Sequence, residues 1–206
     1  MRYRFTAMTV NPTNRDCDAA MREAIAEAER ARGSTGDNPW VGCVIVDANG
    51  AIVSRGHTQG PGEDHAEIVA MRDARAAGID LARTTLYSTL EPCAFHGRTP
   101  ACARAIVDAG VVRVVTGIRD PNPRVDGVGV KMLRDAGIDV IEDICATEIT
   151  HQLAEWIFRF HPHEPLRRAR ALYALTDSRE ETERRLQQHY GVGATLIAAV
   201  ISQLVK

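Results

Sequence analysis

The chain has 206 residues, of which 45% are hydrophobic and 25% are charged, as in an ordinary globular protein with room for one sizeable domain and an appendage. Its formal net charge of -2 excludes a general attraction to nucleic acid or to anionic lipid. The sequence has neither an apolar run of the ~18 residues that cross a membrane nor the long apolar segment of a secretory signal. We therefore expect a cytoplasmic protein with no membrane and no nucleic-acid partner.

Along most of the chain, segments whose apolar residues recur at helical spacing alternate with short, continuous apolar runs. VGCVIVD is a near-continuous apolar run, which indicates a strand covered on both faces. The ANGA that follows predicts a hairpin turn, from which a second strand returns. In chain order we expect a helix at 16–32, strands at 41–47 and 51–57, a helix at 65–77, a strand at 84–90, a helix at 100–109, a strand at 111–117, a helix at 129–136 and a strand at 138–142.

The order of these elements predicts an α/β fold. In two consecutive units a helix ends at Ala-Gly and a β-branched strand follows, which indicates parallel strands joined by helices. The hairpin adds antiparallel pairing at the other side. We therefore expect a mixed five-stranded sheet with helices on both faces.

The last part of the chain is predicted to be helical. A helix over 145–160 is followed by HPHEP, which interrupts the pattern, and by helical patterns at 166–175, 178–190 and 194–205. We therefore divide the chain into a domain over 1–160 and a helical C-terminal extension over 161–206. The extension has too many large apolar residues for a free arm in water, so it should pack on the domain, on itself or on a second subunit. These residues are Leu172, Leu175, Leu186, Leu196, Ile197, Val200, Ile201 and Leu204.

Three side chains of types that bind zinc are predicted to lie where strands end and helices begin. In a reducing compartment the five cysteines are expected to be free thiols, acting as core residues, metal ligands or nucleophiles. Zinc prefers imidazole and thiolate, and a catalytic site uses three protein ligands and leaves the fourth position to water. His65, Cys93 and Cys102 supply one imidazole and two thiolates, and helix N-termini there would stabilise thiolate charge. We therefore predict one zinc ion per chain at this edge of the sheet.

Glu67 follows His65 by two positions, at the predicted start of the same helix. From there its carboxylate can reach the metal cavity without binding the metal. A carboxylate beside a metal-activated water can take a proton from that water and pass it to a leaving group. His-x-Glu followed by Pro-Cys and a second Cys is the signature of zinc-dependent nucleobase deaminases, so the sequence predicts Glu67 as the catalytic acid and base.

Six stretches and Cys102 form a recognisable set: NPWVGCVIVD (38–47), HAE (65–67), TLEPC (89–93), HGRTP (96–100), AGVVRVV (109–115) and DPNPRVDGVG (120–129). The set covers roughly residues 16–145 and resembles the deaminase domain of the bifunctional deaminase–reductases of the riboflavin pathway. The eight-residue gap between the two cysteines is its most specific feature, because broader cytidine and tRNA-adenosine deaminases place them two residues apart.

The resemblance implies a cytidine-deaminase-like three-layer αβα sandwich, with zinc on the His-Cys-Cys set and a proton shuttle at Glu67. It also implies hydrolytic deamination of 2,5-diamino-6-ribosylamino-4(3H)-pyrimidinone 5′-phosphate. A turn or a solvated loop is the alternative role for each implied substrate contact. These contacts are Asn38 for the pyrimidine, His96, Arg98 and Thr99 for the phosphorylated ribose, and Asp120 and Asn122 for the ribose hydroxyls.

The chain departs from the family pattern in three respects. The 46 residues after Phe160 are too few for the family's reductase domain and contain no G-x-G-x-x-G, so a separate reductase would have to take the product. Ala94 and Phe95 stand where the family typically has Ser and His. Val69 stands where a second His often follows. We expect Phe95 to line the substrate pocket and to mark the main difference in substrate recognition.

The sequence therefore predicts a zinc-dependent hydrolytic deaminase of an amino-pyrimidine, acting as a homodimer on the riboflavin intermediate. One alternative is a deaminase of a different amino-heterocycle in specialised metabolism. A second, from a different class, is a non-catalytic binding protein stabilised by zinc. Glu67 argues against the binding protein, because a structural zinc site needs no proton shuttle and usually closes with a fourth protein ligand.

Overall fold

A computed structural model of the chain describes residues 19–95, 97, 100–176, 178–191, 193, 197 and 200, with the backbone alone at 171, 172 and 174–176. Every helix and strand predicted up to residue 190 is found, with ends shifted by a few residues, and a short 3₁₀ turn at Leu81–Arg83 was not predicted. The elements are α1 (Ala19–Glu29), β1 (Gly42–Val46), β2 (Ile52–His57), α2 (Ala66–Ala76), β3 (Thr85–Leu90), α3 (Cys102–Asp108), β4 (Arg113–Ile118), α4 (Val128–Asp135), β5 (Asp139–Ile141), α5 (Ala146–Phe160), α6 (His163–Thr176) and α7 (Arg179–Tyr190).

The five strands form one mixed sheet in the order β2-β1-β3-β4-β5. Strand β1 pairs antiparallel with β2 and with β3, whereas β3, β4 and β5 run parallel. All five residues of β1 are buried, so the prediction of a strand covered on both faces is confirmed. No helix within the described part of the chain is long and apolar enough to cross a membrane.

Two glycines let helices approach the sheet closely on opposite faces. Gly42 faces His57 across the β1–β2 ladder and Gly56 faces Cys43, so the two glycines point to opposite sides of the sheet. A Cβ at Gly42 would collide with the Ala24 carbonyl of α1, and a Cβ at Gly56 would collide with the Ala66 carbonyl of α2. This close packing fixes the start of α2, next to His65, against the sheet.

The C-terminal helices pack on the rest of the protein through α5. The Phe158 ring of α5 meets the Tyr190 ring of α7 edge to face at 5.2 Å. Leu186, Ile197 and Val200 are buried and belong to the same apolar core as the sheet. The predicted boundary between residues 160 and 161 stays a prediction. The side chains of Leu172 and Leu175 and most of the predicted helix 194–205, with Leu196, Ile201 and Leu204, lie outside what the structure describes.

The expectation of five free thiols is wrong for Cys145, which is disulfide-bonded. Cys43, Cys93 and Cys102 are free. Cys145 is buried at the N-cap of α5, with a left-handed backbone (φ 57°). The prediction came from the redox compartment alone, which says nothing about which thiols the fold brings together.

We expect Leu186→Ala to lower the free energy of unfolding by about 2–5 kcal/mol, because it empties a fully buried leucine site in α7. Zinc content should not change, since α7 contributes nothing to the metal cluster. The exposed neighbour Gln187→Ala is the matched control and should change stability by less than about 0.5 kcal/mol. Urea unfolding monitored by circular dichroism measures both variants, and equal midpoints would contradict the packing of the extension.

Candidate active site

The three zinc-type side chains meet beyond the carboxyl end of β3. The ligand atoms of His65, Cys93 and Cys102 all lie within 4.8 Å of one another. His65 Nδ1 is 3.3 Å from Cys102 Sγ and 3.7 Å from Cys93 Sγ. One nitrogen and two sulfurs are a donor set that suits zinc and leaves a fourth position for water. The residues present therefore fit the metal that the sequence predicts.

Two helix N-termini position these donors. His65 is the N-cap of α2 and has an extended backbone without a side-chain capping bond, so its imidazole can face the thiols. Cys102 is the first residue of α3, and its backbone N–H donates to Cys93 Sγ at 3.3 Å. The next N–H, from Ala103, donates to the Cys93 carbonyl at 3.0 Å. The first turn of α3 thus uses N–H groups without helical partners to hold Cys93.

The two thiols differ in acidity. Hydrogen bonds from the Cys102 thiol, from His65 and from the Cys102 backbone N–H lower the pKa of Cys93, against the opposing effect of burial. The hydrogen bond to Cys93 and burial raise the pKa of Cys102. Cys93 therefore loses its proton more readily than Cys102 does. A bound metal would require Cys102 to lose its proton as well, as a thiolate ligand must.

Glu67 lies in the first turn of α2 and is only 4% exposed. It lines a cavity of about 360 Å³ together with His65 and Cys93. Burial raises the pKa of Glu67, and the neighbouring His65 partly opposes that shift. A buried carboxyl group whose pKa moves toward neutrality can both accept and return a proton.

Four of the seven predicted substrate contacts, Asn38, Phe95, Asp120 and Asn122, line the same cavity. Asp120 Oδ1 accepts a hydrogen bond from the Asn122 backbone N–H at 2.8 Å, so this loop also has the predicted turn. Burial raises the pKa of Asp120 to about 7, so its carboxyl group can donate or accept a hydrogen bond near neutral pH. The other three predicted contacts, His96, Arg98 and Thr99, lie outside the described residues.

Phe95 contacts the side chain of Arg124, a cation for which the sequence predicted no role. The Arg124 guanidinium lies 4.4 Å from the centroid of the Phe95 ring. Both side chains line an adjoining cavity of about 330 Å³, which also reaches His65 and Cys93. The ring therefore lines the pocket, as predicted, with one face covered by a positive charge. Val69, the other departure, is buried against β2 beside Gly56 and packs in the core.

Glu91 holds the segment before Cys93 in place. Its side chain is 2% exposed, and its two oxygens accept hydrogen bonds from Gly127 N at 2.9 Å and from Val130 N at 3.0 Å. Both donors belong to the N-terminus of α4, where a carboxylate is stabilised by otherwise unpaired N–H groups and by the helix dipole. A Cβ at Gly129 would collide with the Pro92 carbonyl, so this glycine allows α4 to approach the same segment.

Glu91 and Gly129 belong to the stretches TLEPC and DPNPRVDGVG, but the sequence pattern predicted no role for either residue. The helix predicted over 145–160 likewise had no predicted part in the site, although Trp156, Phe160 and the following His161 line the cavity with Glu67. The aromatic cluster WIFRFH was the available signal. A helical period shows which face is apolar but not which residues at the helix end reach a cavity.

We expect Glu91→Gln to lower the free energy of unfolding by about 1–3 kcal/mol, because an amide offers one acceptor where α4 presents two buried N–H donors. Zinc affinity should fall as well, since Cys93 is two residues away. Glu148→Gln is the matched control, because Glu148 is an exposed carboxylate in the first turn of α5. It should cost less than about 1 kcal/mol. Chemical unfolding and competition for zinc with a chromophoric chelator measure both effects, and equal losses in the two variants would refute a positioning role.

Comparison with known proteins agrees with this geometry. The family described as "Cytidine and deoxycytidylate deaminase zinc-binding region" matches residues 14–118. Riboflavin biosynthesis protein RibD of Escherichia coli is 48% identical over 128 residues, which are 62% of this chain and 34% of that protein. The RibD of Aquifex aeolicus is 40% identical over 155 residues, which are 74% of this chain and 42% of that protein. The chain thus spans well under half the length of these curated relatives.

Solved structures show the same fold. The diaminohydroxyphosphoribosylaminopyrimidine deaminase/5-amino-6-(5-phosphoribosylamino)uracil reductase of Thermotoga maritima superposes with a TM-score of 0.64 at 41% identity, covering 68% of this chain and 39% of that one. RibD of Acinetobacter baumannii superposes with a TM-score of 0.62 at 41% identity, covering 68% and 38%. The predicted cytidine-deaminase-like sandwich is confirmed, and this chain belongs to the zinc-binding cytidine and deoxycytidylate deaminase family.

Proposed function

We propose that this protein is a zinc-dependent deaminase that hydrolyses the exocyclic amino group of an amino-pyrimidine. The observation that carries the proposal is the buried carboxylate of Glu67 in one cavity with His65 and Cys93, beside a donor set that leaves one metal position open. The substrate that we propose is 2,5-diamino-6-ribosylamino-4(3H)-pyrimidinone 5′-phosphate. The names of the Escherichia coli and Thermotoga maritima relatives support it.

The proposed roles of the residues follow from their positions. His65, Cys93 and Cys102 would hold zinc, which supplies an acidified water as the nucleophile when it is bound. Glu67 would take a proton from that water and give it to the departing amino group. The water oxygen would add to the ring carbon and the bond to the amino nitrogen would break, so that ammonia leaves. The remaining hydroxyl proton would move to the adjacent ring nitrogen, which leaves a carbonyl group. The burial of Glu67 suits this role, because its raised pKa lets it hold the proton between the two transfers.

The walls of the cavity support a substrate with a polar edge and an anionic end. Asn38 and Asp120 offer hydrogen-bonding groups beside the metal cluster, and we propose that they contact the pyrimidine and the ribose. Arg124 adds a guanidinium at the Phe95 side, where a phosphate can be bound by charge-assisted hydrogen bonds. We retain His96, Arg98, Thr99 and Asn122 as proposed ribose and phosphate contacts.

Two other proposals concern the protein's surroundings. We propose that a separate reductase takes the deaminated product and that the protein acts as a cytoplasmic homodimer. The alternative substrate is a different amino-heterocycle. Phe95 is the reason to consider it, because a phenyl ring cannot form the hydrogen bonds that the family's imidazole can form. A screen of purified protein for ammonia release from the riboflavin intermediate, cytosine, cytidine and guanine distinguishes these substrates. A purely zinc-stabilised binding protein would release ammonia from none of them.

We expect Glu67→Gln to lower kcat at least ~100-fold, the usual scale for a general acid and base, while the zinc content stays at one per chain. Asp73→Asn is the matched control, because Asp73 is an exposed carboxylate on the same helix, and it should retain full activity. Ammonia release and metal analysis are measured on the same preparations. Full turnover in Glu67→Gln would disprove the proposed mechanism.

We expect Phe95→His to shift preference toward the phosphorylated intermediate, because an imidazole can form hydrogen bonds that the Phe95 ring cannot. The face of the Phe95 ring opposite Arg124 offers stacking to a heterocycle, which is worth about 1–3 kcal/mol for a base on an aromatic ring. The measurement is kcat/KM for the intermediate relative to its phosphate-free analogue, in the original and the variant protein. An identical ratio in both would mean that Phe95 only packs against Arg124.

A further inference from the structure

The cavity has an aromatic wall that no catalytic motif of the sequence contains. Trp156, Phe160 and His161, which we call the aromatic wall, line it together with Asp120 and Asn122. They come from the last turn of α5 and the residue after it. The family match ends at residue 118, so the aromatic wall lies outside the segment that defines the family.

Hydrogen bonds hold the aromatic wall to both sides of the cavity. Trp156 Nε1 donates to the Asp37 carbonyl at 3.0 Å, next to Asn38. On the other side His163 Nε2 donates to the Pro121 carbonyl at 3.1 Å, between Asp120 and Asn122. The junction between α5 and α6 therefore spans the cavity from one predicted substrate loop to the other. A wall fixed at both ends can hold its rings in position for a ligand.

The three rings line the cavity tilted against one another, and the Arg159 guanidinium lies 5.2 Å from the centroid of the Phe160 ring. His161 packs on Trp156 with ring centroids 4.7 Å apart, and Phe160 lies 6.4 Å from Trp156. Burial lowers the pKa of His161, so its ring is neutral at neutral pH. Phe160 is 37% exposed, one of few large apolar side chains in the described part of the chain with so much surface in water. A ligand that covers this ring would remove apolar surface from water.

We propose that the aromatic wall determines substrate class, by stacking a planar amino-heterocycle whose polar edge faces Asn38 and Asp120. This inference rests on the proposed function, and it assigns specificity to a helix that none of the sequence motifs includes. Stacking also explains why the cavity has both polar and aromatic walls. Polar groups form hydrogen bonds with the edge of a substrate ring, whereas an aromatic side chain stacks on any planar ring, whatever its substituents. Ligand pockets commonly combine a few such polar groups with apolar walls.

The test compares Phe160→Ala, Phe160→Leu and Phe160→Tyr in the zinc-loaded 206-residue chain. Phe160→Ala and Phe160→Leu should each raise KM for the best substrate of the ammonia screen by about 5- to 100-fold, the range of base–aromatic stacking, with kcat changed less than about 3-fold. Phe160→Tyr should keep KM within about 3-fold, because it restores the ring. Tyr173→Ala is the matched control, since Tyr173 on α6 is 38% exposed, almost as Phe160 is, and does not line the cavity.

A second readout does not depend on turnover. The chain has two tryptophans, so in a Trp40→Phe, Glu67→Gln background Trp156 is the sole tryptophan, and stacking of a heterocycle should quench its fluorescence. Cytosine, guanine and the riboflavin intermediate serve as probes. The Kd of the probe that quenches most strongly should rise about 5- to 100-fold with Phe160→Ala and with His161→Ala.

The possible outcomes separate the two proposals. No ammonia release from any compound by the original protein would overturn the proposed function. Ammonia release with KM and quenching in Phe160→Ala equal to those in Tyr173→Ala would overturn the aromatic wall and leave the function standing. If Phe160→Leu changed KM as little as Phe160→Tyr does, residue 160 would contribute only apolar contact, and stacking would be contradicted. Melting temperatures and zinc content, measured on every variant, identify any that fail to fold.

Discussion

The site depends on how the chain from Glu91 to Cys93 is held beyond the end of β3. The first turn of α3 binds this segment through two backbone N–H groups that donate to Cys93. The first turn of α4 binds it through two N–H groups that donate to the Glu91 carboxylate. Cys93 and Glu91 thus accept hydrogen bonds from four N–H groups at helix N-termini, which have no partner within their own helices. The position of Cys93, and with it the arrangement of the candidate metal ligands, is thereby coupled to two different helices.

This arrangement explains why a chain that contains the stretch TLEPC also needs the stretch DPNPRVDGVG. A carboxylate at residue 91 needs the α4 N-terminus nearby, and α4 can come that near only because residue 129 lacks a Cβ. The same loop that leads into α4 carries Asp120 and Asn122 into the cavity. The contact that positions Cys93, a candidate metal ligand, therefore also positions the residues that we propose to bind ribose. Parallel β3 and β4 bring the two loops to one edge of the sheet, where sites in α/β proteins collect.

Sequence reasoning predicted the local parts of this site well. The apolar run of β1, the Ala-Gly helix ends and the order of the strands follow from patterns of a few residues, so the sheet and its covering helices were predictable. The convergence of His65, Cys93 and Cys102 was predictable because each lies at the junction of a strand and a helix. The role of Glu91 was not, since its partners lie 36 and 39 residues away. The bond from Trp156 to Asp37 spans 119 residues, and the disulfide at Cys145 depends on the fold rather than on the cellular compartment.

The burial of Glu67 bears on the choice between catalysis and structure. A carboxylate that is 4% exposed beside a thiolate is unfavourable for folding, because it loses hydration and is repelled by the neighbouring charge. The Glu67 carboxylate accepts hydrogen bonds from its own backbone N–H and from the Cys102 thiol, which offset only part of that cost. A site that served only to stabilise the fold would gain more from a fourth metal ligand or an apolar side chain at this position. Strongly perturbed carboxylates in cavities are instead typical of groups that transfer protons. The unfavourable placement of Glu67 is therefore itself an argument that the cavity carries out chemistry.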